Sequence, residues 1–279
     1  MAASARSLSA RWLSNCRSPH RLGALLTMVA ALFAFPAKAD DRIALRLEMY
    51  GLAGAHVLTL HSYLDENGNR YAINADYATT GVAGLMVDLS TRTQVHGLLA
   101  GVAAMPESFR SDIKRNGSER RERIDYYPNS VVKGSSEPPL PVPVTSEMAH
   151  GTVDDLTAYF MLERQLARTG KCNLAVPVFD GRHRFDLYFT DAGQQQLSPS
   201  SSQQFSGSTI ACHMMRQMRM PPGDPEISEG AHQGTLWYAK LLPGDAMVPV
   251  RMKLETHLGT IDGYLAEVHG RGVNLKFME

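Results

Sequence analysis

Residues 42–50, RIALRLEMY, and residues 70–79, RYAINADYAT, decide the fold. In the first stretch Ile43, Leu45, Leu47 and Met49 occupy alternate positions, opposite a more polar set. An apolar period of two is typical of a β-strand with one buried face. A further apolar run at 53–64 and then Asn67-Gly68 lie between the two stretches. Asn-Gly between two such runs predicts a tight β-hairpin, because its turn needs positive φ.

Similar runs and turns continue along the chain. Asn116-Gly117 and Asp180-Gly181 are two further turn signals, and each predicts a hairpin. Strands are predicted at 109–114, 120–126, 174–179, 182–190, 209–220, 234–241, 248–257, 260–269 and 273–277. Glycines recur within residues 82–101. Since glycine inside a strand often marks a bulge or bend, we predict one long bent strand or two short strands there.

Two segments are predicted to be loops. Residues 134–143 contain four prolines, and proline removes donors from a strand ladder and disfavours helix before it. Residues 191–208 are rich in glutamine and serine, and we expect a mobile loop there.

One helix is predicted, from Thr152 to about Thr169. Its broad apolar face consists of Leu156, Tyr159, Phe160, Leu162 and Leu166. Thr152 can cap the helix, acidic residues in the first turn complement its dipole, and Gly170 follows as a stop. These patterns together predict a mainly β fold with a single domain at 40–279. In it, a curved antiparallel sheet or open barrel packs the 152–169 helix against its concave side.

The first 39 residues read as a signal for export. Residues 1–21 contain four arginines and no acidic residue. An apolar run of 14 residues, Leu22 to Phe35, comes next, and Pro36-Ala37-Lys38-Ala39 follows it. This is the order of a signal peptide cleaved near Ala39. The alternative is a retained anchor, but spanning a bilayer takes about 20 apolar residues. We therefore expect a periplasmic protein that begins near Asp40 and has no transmembrane span after cleavage.

Cleavage changes the charge balance of the chain. Five of the 28 basic residues lie before Asp40 and none of the 28 acidic ones does, so 23 basic residues face 28 acidic residues in the processed chain. This balance gives no support for a nucleic-acid partner, which would need a basic face. The charged run at 115–125 interleaves both signs, and we interpret it as a solvated strand surface.

Cleavage also leaves only Cys172 and Cys212, in an oxidising compartment where thiols tend to pair. We predict a disulfide between them; the alternative is two separate buried thiols.

A soft-metal site is the most tempting chemistry in the sequence. Cys212-His213-Met214-Met215, with Met218 and Met220, offers thiolate, imidazole and thioether ligands that suit copper. Strand geometry opposes this interpretation, because His213 and Met215 would point away from the face that Cys212 and Met214 share. We expect a methionine-lined apolar interior with a disulfide, and no metal or cofactor.

The motifs of common enzyme classes are absent from the sequence. It contains no Gly-x-Ser-x-Gly elbow, no His-Glu-x-x-His pair and no phosphate-binding loop. Asp154 and Asp155 are adjacent carboxylates, but they would point about 100° apart on a helix. We assign no catalytic residue and expect a protein that is not an enzyme.

The run Asp180 to Leu187 is the most distinctive. Alternation would place Arg182, Arg184 and Asp186 on one strand face, with His183 on the other. Two aligned arginines could bind an anionic headgroup. The interpretation that we favour is structural ion pairing of Arg182 and Arg184 with Asp154 or Asp155, which would tie the hairpin to the helix.

Several short motifs have a characteristic order. They are Gly151-Thr152-Val153-Asp154-Asp155-Leu156-Thr157-Ala158, Cys172, Val178-Phe179-Asp180-Gly181-Arg182, Cys212, Pro249-Val250-Arg251-Met252 and Gly259-Thr260. In this order the chain resembles an uncharacterised family of proteobacterial periplasmic proteins, known as a domain of unknown function. The resemblance covers most of the processed chain. It implies a β-rich envelope protein, similar in architecture to periplasmic lipoprotein carriers, and it implies no catalytic residues.

The function expected from these features is non-enzymatic. The leading hypothesis is an envelope protein that binds a hydrophobic ligand, such as a lipid, or an extended peptide. The alternative is a scaffolding module that contacts other envelope proteins through an exposed strand edge, and the third hypothesis is a hydrolase with an unrecognised site. An open apolar cavity would favour the first hypothesis, a filled core the second, and a cleft with converging polar side chains the third.

Overall fold

The computed structural model describes residues 42–51, 54–101, 103–200, 203–219, 231–244, 246–257 and 259–278. The proposed signal peptide and Met220 lie outside these ranges. Within them the strands are β1 (Ile43–Gly51), β2 (Ala55–Asn67), β3 (Arg70–Thr79), β4 (Leu89–Ala100), β5 (Ala103–Arg115), β6 (Ser118–Tyr126), β7 (Val132–Glu137), β8 (Leu174–Phe179), β9 (Arg184–Leu197), β10 (Gly207–Met218), β11 (Gln233–Ala239), β12 (Val248–Thr256), β13 (Gly259–Gly270) and β14 (Val273–Lys276). The helices are α1 (Gly81–Met86) and α2 (Asp155–Thr169).

The strands form one antiparallel, curved sheet that does not close. Their order is β7-β6-β5-β4-β3-β2-β1-β13-β12-β11-β10-β9-β8, and β14 pairs with β13 beside this path. Most neighbours are therefore consecutive in the chain, as a meander of hairpins requires. The predicted fold class, a mainly β protein with a curved antiparallel sheet and one long packed helix, is confirmed.

The antiparallel order brings alternate turns to the same end of the sheet. We call one end rim A; it holds the β5–β6 turn, the β8–β9 turn and the β12–β13 connection. The opposite end, rim B, holds the β2–β3, β4–β5 and β13–β14 turns. At rim A, Asn116 and Gly117 have φ values of 48° and 79°, the left-handed pair that a two-residue hairpin turn needs.

Helix α2 lies against the concave side of the sheet. Its residues Ala158, Leu162 and Leu166 pack into a core cluster formed mainly with β8 to β13, and Phe160 packs into a second cluster with β3 to β6. The helix therefore joins the cores of the two halves of the sheet. The Tyr71 hydroxyl and the Thr157 hydroxyl are hydrogen bonded at 2.8 Å, which ties β3 to the first turn.

The ends of α2 are set by its capping residues. Asp154, rather than the predicted Thr152, is the N-cap: its carboxylate accepts hydrogen bonds from the backbone N–H and the hydroxyl of Thr157, both at 2.8 Å. Thr152 instead donates its hydroxyl to the carbonyl of Ala149. Gly170 ends the helix in the left-handed conformation, as predicted.

The two edges of the sheet, β7 and β8, meet at a seam. A Cβ at Gly134 on β7 would lie 2.5 Å from the Phe179 ring of β8, so the ring packs directly on the glycine backbone. Beside them, the Val153 N–H donates to Pro177 O at 3.0 Å and the Phe179 N–H donates to Val153 O at 2.9 Å. Side-chain packing and a strap of chain before α2 therefore cover the seam, where strand pairing is missing.

Three local predictions are wrong. Residues 82–101 form α1 and β4 instead of strand alone. The expected loop at 191–208 is largely the long β9–β10 hairpin, in which Gln195 pairs with Thr209 and Leu197 with Gly207. The expected loop at 134–143 begins as strand, because β7 extends to Glu137 before the prolines.

Candidate functional site: an interior cavity with a polar cluster

A cavity of about 540 Å³ lies between α2 and the concave face of the sheet. Its apolar wall includes Ile43, Leu45, Leu47, Met49, Leu60, Leu64, Ile73, Leu236, Tyr238, Met252 and Leu254. This volume is within the range of about 300–1,000 Å³ that is typical of small-molecule sites. The concave side is thus only partly filled by the helix.

The alternation of β1 builds the longest part of this wall. All four apolar residues that the sequence placed on one face, Ile43, Leu45, Leu47 and Met49, line the cavity. Six strand intervals separate the first from the last, which corresponds to about 20 Å. Small Ala75 on β3 also lines the cavity and leaves space that a larger side chain would occupy.

A cluster of charged side chains lines the same cavity near rim A. This polar cluster consists of Arg120, Glu122, Asp155, Asp180, Arg182, His183 and Arg216. Arg120 is the third residue of β6, Arg216 is third from the end of β10, and residues 180–183 join β8 to β9. These positions all belong to rim A, and Asp155 is added by the first residue of α2.

Asp180 is the anionic centre of the polar cluster. One carboxylate oxygen accepts hydrogen bonds from the backbone N–H groups of Arg182 and His183, at 2.9 and 2.7 Å. The other lies 3.4 Å from Arg216 Nη2 and 3.4 Å from His183 Nδ1. Burial alone would raise the pKa of Asp180, but these contacts lower it below its ordinary value, so this carboxylate is held in its charged form.

The other two carboxyl groups of the polar cluster are held less firmly in the charged form. Glu122 is 2% exposed, lies 3.0 Å from Arg120 Nε, and burial raises its pKa to about 7 despite the charges of Arg120 and Arg182. Burial, with the negative charge of Asp180, raises the pKa of Asp155 to about 6. Desolvation therefore outweighs the favourable charges at both groups.

Arg216 is stacked on an aromatic ring. Its Cζ lies 3.8 Å from the centre of the Phe185 ring, close enough for a cation–π contact. Its Nε is buried and has no hydrogen-bond partner within the described residues. The guanidinium is thus held by stacking at the wall of the cavity.

The cavity has a second polar end near rim B. Glu66 lies 3.1 Å from Arg164 Nη1 and 3.0 Å from Arg271 Nη2, and Arg164 also donates to the carbonyl of Gly101. Glu163, on α2, lines the cavity beside this network. Burial and, to a lesser degree, the charge of Glu66 raise the pKa of Glu163 to about 8.

The residues of the 180–187 run are not arranged as the alternation predicts. Arg182 and His183 both line the cavity because they belong to a turn, where period two does not apply. Arg182 Nη1 lies 3.9 Å from Glu122, and Arg184 Nη1 lies 2.5 Å from Asp186. The structure brings Arg216 toward Asp155, and the pairing of Arg182 and Arg184 with Asp154 or Asp155 stays a prediction.

The cysteines lie as predicted, with a Cys172–Cys212 disulfide whose Cα atoms are 5.6 Å apart. Met214 shares the inner face of β10 and is 3% exposed, whereas Met215 is 50% exposed on the outer face. The alternation that opposed a copper site is therefore correct for this strand. Within the described residues, no group of three or more His, Cys, Asp or Glu side chains is arranged to hold a metal ion.

Sequence reasoning missed Arg120, Glu122, Glu163 and Arg216 as cavity residues. Arg120 and Glu122 belong to the charged run that we interpreted as a solvated surface, and for these two residues that interpretation is wrong. Their alternate positions in β6 were the available signal. Arg216 likewise shares the period-two face of Cys212 and Met214.

Comparisons with known proteins give a family and a structural likeness. A protein-family model described as "Protein of unknown function (DUF3108)" matches residues 47–266. A search of curated proteins found no match. A solved structure, "Crystal Structure of Beta-barrel-like Protein of Domain of Unknown Function DUF1849 from Brucella abortus", is 12% identical with a TM-score of 0.48; the match covers 84% of this chain and 100% of that chain. Across the part of the chain that the structure describes, no helix has the length and apolar character needed to cross a membrane.

Proposed function

The chain belongs to the DUF3108 family of proteins of unknown function, and on this premise we propose that it is an exported, non-enzymatic protein that binds a hydrophobic ligand. The observation that supports the proposal is the cavity of about 540 Å³ beneath α2, with its apolar wall mainly on β1, β2, β3, β11 and β12. A scaffold would fill this space with side chains, because protein interiors are normally close packed.

A lipid-like chain fits this cavity better than an extended peptide does. Peptides bound as strands pair with an exposed sheet edge, whereas the cavity wall presents side chains of strands that are already paired on both sides. The seam between β7 and β8 is covered by Phe179 and by the strap at Val153. This covering also weighs against the alternative of a scaffold that uses an open strand edge.

Converging polar side chains in the cavity are the feature that a hydrolase would need. General-base chemistry would fall to His183, which pairs with Asp180. Within the described residues, no serine, threonine or cysteine is hydrogen bonded to the His183 ring, so the nucleophile of a catalytic triad is missing there. We therefore favour binding over catalysis.

Two features support an exported location. The first 39 residues have the order of a cleavable signal peptide, and Cys172 and Cys212 form a disulfide, which persists in oxidising compartments such as the periplasm.

The proposal is tested with the processed chain, residues 40–279. Native mass spectrometry after gentle purification should show a bound lipid-sized mass, and phenylnaphthylamine, an uncharged apolar fluorophore, should gain fluorescence on binding. Ala75→Phe should reduce probe affinity by at least about tenfold, because the added ring occupies the cavity and removes apolar contact area from the ligand.

Ala78→Phe is the matched control. Ala78 lies on the same strand but is exposed, so the same substitution should leave probe affinity unchanged. Failure of the wild-type chain to bind any apolar probe or to retain any ligand would contradict the proposal. Equal loss in both variants would place the probe outside the cavity.

A further inference from the structure

The polar cluster makes the rim A end of the cavity charged. We propose that the ligand is an amphipathic molecule with an anionic head group, a carboxylate or a phosphate, and that Arg216 and the polar cluster bind this head group near rim A. This inference rests on the proposed function, since it specifies the class of hydrophobic ligand that the cavity takes.

Three guanidinium groups lie at the rim A end of the cavity. Arg120, Arg182 and Arg216 come from β6, the β8–β9 turn and β10, and all three line the same end of the cavity. Arginine carries its charge at every physiological pH, and its planar fork matches the geometry of carboxylate and phosphate oxygens. Three such groups at one end of an apolar cavity favour an anion there.

The Arg216 guanidinium is held in place at the cavity. The Phe185 ring holds it from one side at 3.8 Å, and its contact with Asp180 is long, at 3.4 Å. Because the Arg216 side chain lines the cavity, a ligand oxygen there can accept hydrogen bonds from its terminal N–H groups.

The carboxyl groups of the polar cluster differ in charge. Asp180 is held ionised, while burial raises the pKa of Glu122 to about 7 and of Asp155 to about 6. Near neutral pH Glu122 is therefore only partly ionised, whereas the guanidinium groups of the polar cluster keep their full charge.

The opposite end of the cavity fixes the orientation of the ligand. Near rim B the lining includes the carboxyl groups of Glu66 and Glu163, and the two arginines there are already paired with Glu66. The terminal N–H groups of these arginines donate to Glu66 and to the carbonyl oxygens of Gly101 and Pro243, so an anion at this end would have to displace existing hydrogen bonds. The head group thus lies at rim A and the apolar chain extends along β1 toward rim B.

The test compares ligands that share one apolar chain and differ only in head group. Palmitate, cetyl phosphate, cetyl alcohol and cetylamine are used to displace phenylnaphthylamine from the processed wild-type chain. The anionic competitors should bind at least about tenfold more tightly than cetyl alcohol, as expected for hydrogen bonds to a charged group. The palmitate and cetyl phosphate arms decide between a fatty acid and a phospholipid-type head group.

Arg216→Gln should weaken the binding of palmitate and cetyl phosphate at least about fivefold more than the binding of cetyl alcohol. Arg251→Gln is the matched control, because Arg251 also contacts an aromatic ring, Trp237, and pairs with an aspartate, Asp262, but does not line the cavity. Its preference for anions should equal that of the wild type.

The outcomes separate the two proposals. If the wild type binds cetyl alcohol or cetylamine as tightly as palmitate and cetyl phosphate, the head-group inference is overturned while the proposed function stands. If no competitor and no probe binds, the proposed function itself fails. The comparison of head groups on the wild-type chain decides the inference even if Arg216→Gln does not fold.

Discussion

Replacement of Glu163 by glutamine should stabilise the protein above neutral pH. Glu163 lies on α2 and lines the cavity near rim B. Burial, followed by the charge of Glu66, raises its pKa from an ordinary 4.5 to about 8. Glutamine has nearly the same shape and cannot ionise, so the variant removes the titration and leaves the packing in place.

The sign of the effect follows from proton linkage. Below pH 4.5 the carboxyl is protonated in both the folded and the unfolded chain, so its titration does not change the free energy of unfolding. As the pH rises from 4.5 toward 8, the unfolded chain releases the proton while the folded chain retains it. The free energy of unfolding therefore falls across this window, and the loss is complete above pH 8.

The size of the effect follows from the same two values. Each tenfold change in proton affinity corresponds to about 1.4 kcal/mol, which sets a ceiling of about 4 kcal/mol for the loss between about pH 5 and pH 8. Glu163 is only half-buried, so solvent screens part of the charge. We therefore expect the wild type to lose about 2 kcal/mol more than Glu163→Gln across this range.

Urea unfolding at several pH values, with the disulfide intact, measures this difference. Glu122, Asp154 and Asp155 also have raised pKa values, so Glu163→Gln should keep part of the pH dependence. Glu137→Gln is the control, since its side chain is 76% exposed, and it should match the wild type. If the free energy of unfolding changes equally with pH in the wild type and in Glu163→Gln, the assignment of a neutral carboxyl at this position is refuted.

Two further predictions concern the fold. Replacing Cys172 and Cys212 with alanine should lower the free energy of unfolding by about 4 kcal/mol, because their bond spans 40 residues of chain; a urea midpoint equal to that of the oxidised wild type would contradict this. Gly97→Ala should cost about 2 kcal/mol or more, since the new Cβ would lie 2.2 Å from Met105 O. Gly84→Ala, with only ordinary contacts at 3.6 Å, should be neutral or slightly stabilising. Equal calorimetric melting temperatures for the two glycine variants would show that the contact of the new Cβ at position 97 with Met105 O is relieved without cost.

Much of the sheet could be predicted from the sequence because its signals are local. The alternation at 43–49 identified the face that lines the cavity, and Asn116-Gly117 identified a hairpin turn. Each feature depends on neighbouring residues alone, so no knowledge of the rest of the fold is needed. The C-terminal stop of α2 at Gly170 is local in the same way.

Other parts depend on residues that are distant in the chain. The polar segment at 191–208 resembles a loop, yet it is a hairpin in which Gln195 also accepts a hydrogen bond from Trp237 Nε1 at 2.8 Å. Glu122 resembles a surface residue until Arg182, about 60 residues away, is placed beside it. The candidate site was missed for this reason: the strands that contribute its charges are brought together only by the curvature of the sheet.

Helix α2 is fastened to the sheet at both ends. The strap at Val153 bonds to β8 just before the helix begins, and the bond from Cys172 to Cys212 anchors the chain to β10 just after it ends. Between them, Arg164 joins the helix to Glu66 and to Gly101. The helix thus acts as a fixed wall and not as a swinging lid. For a bound molecule, release would then depend on rearrangement of the side chains that line the cavity, not on movement of the helix.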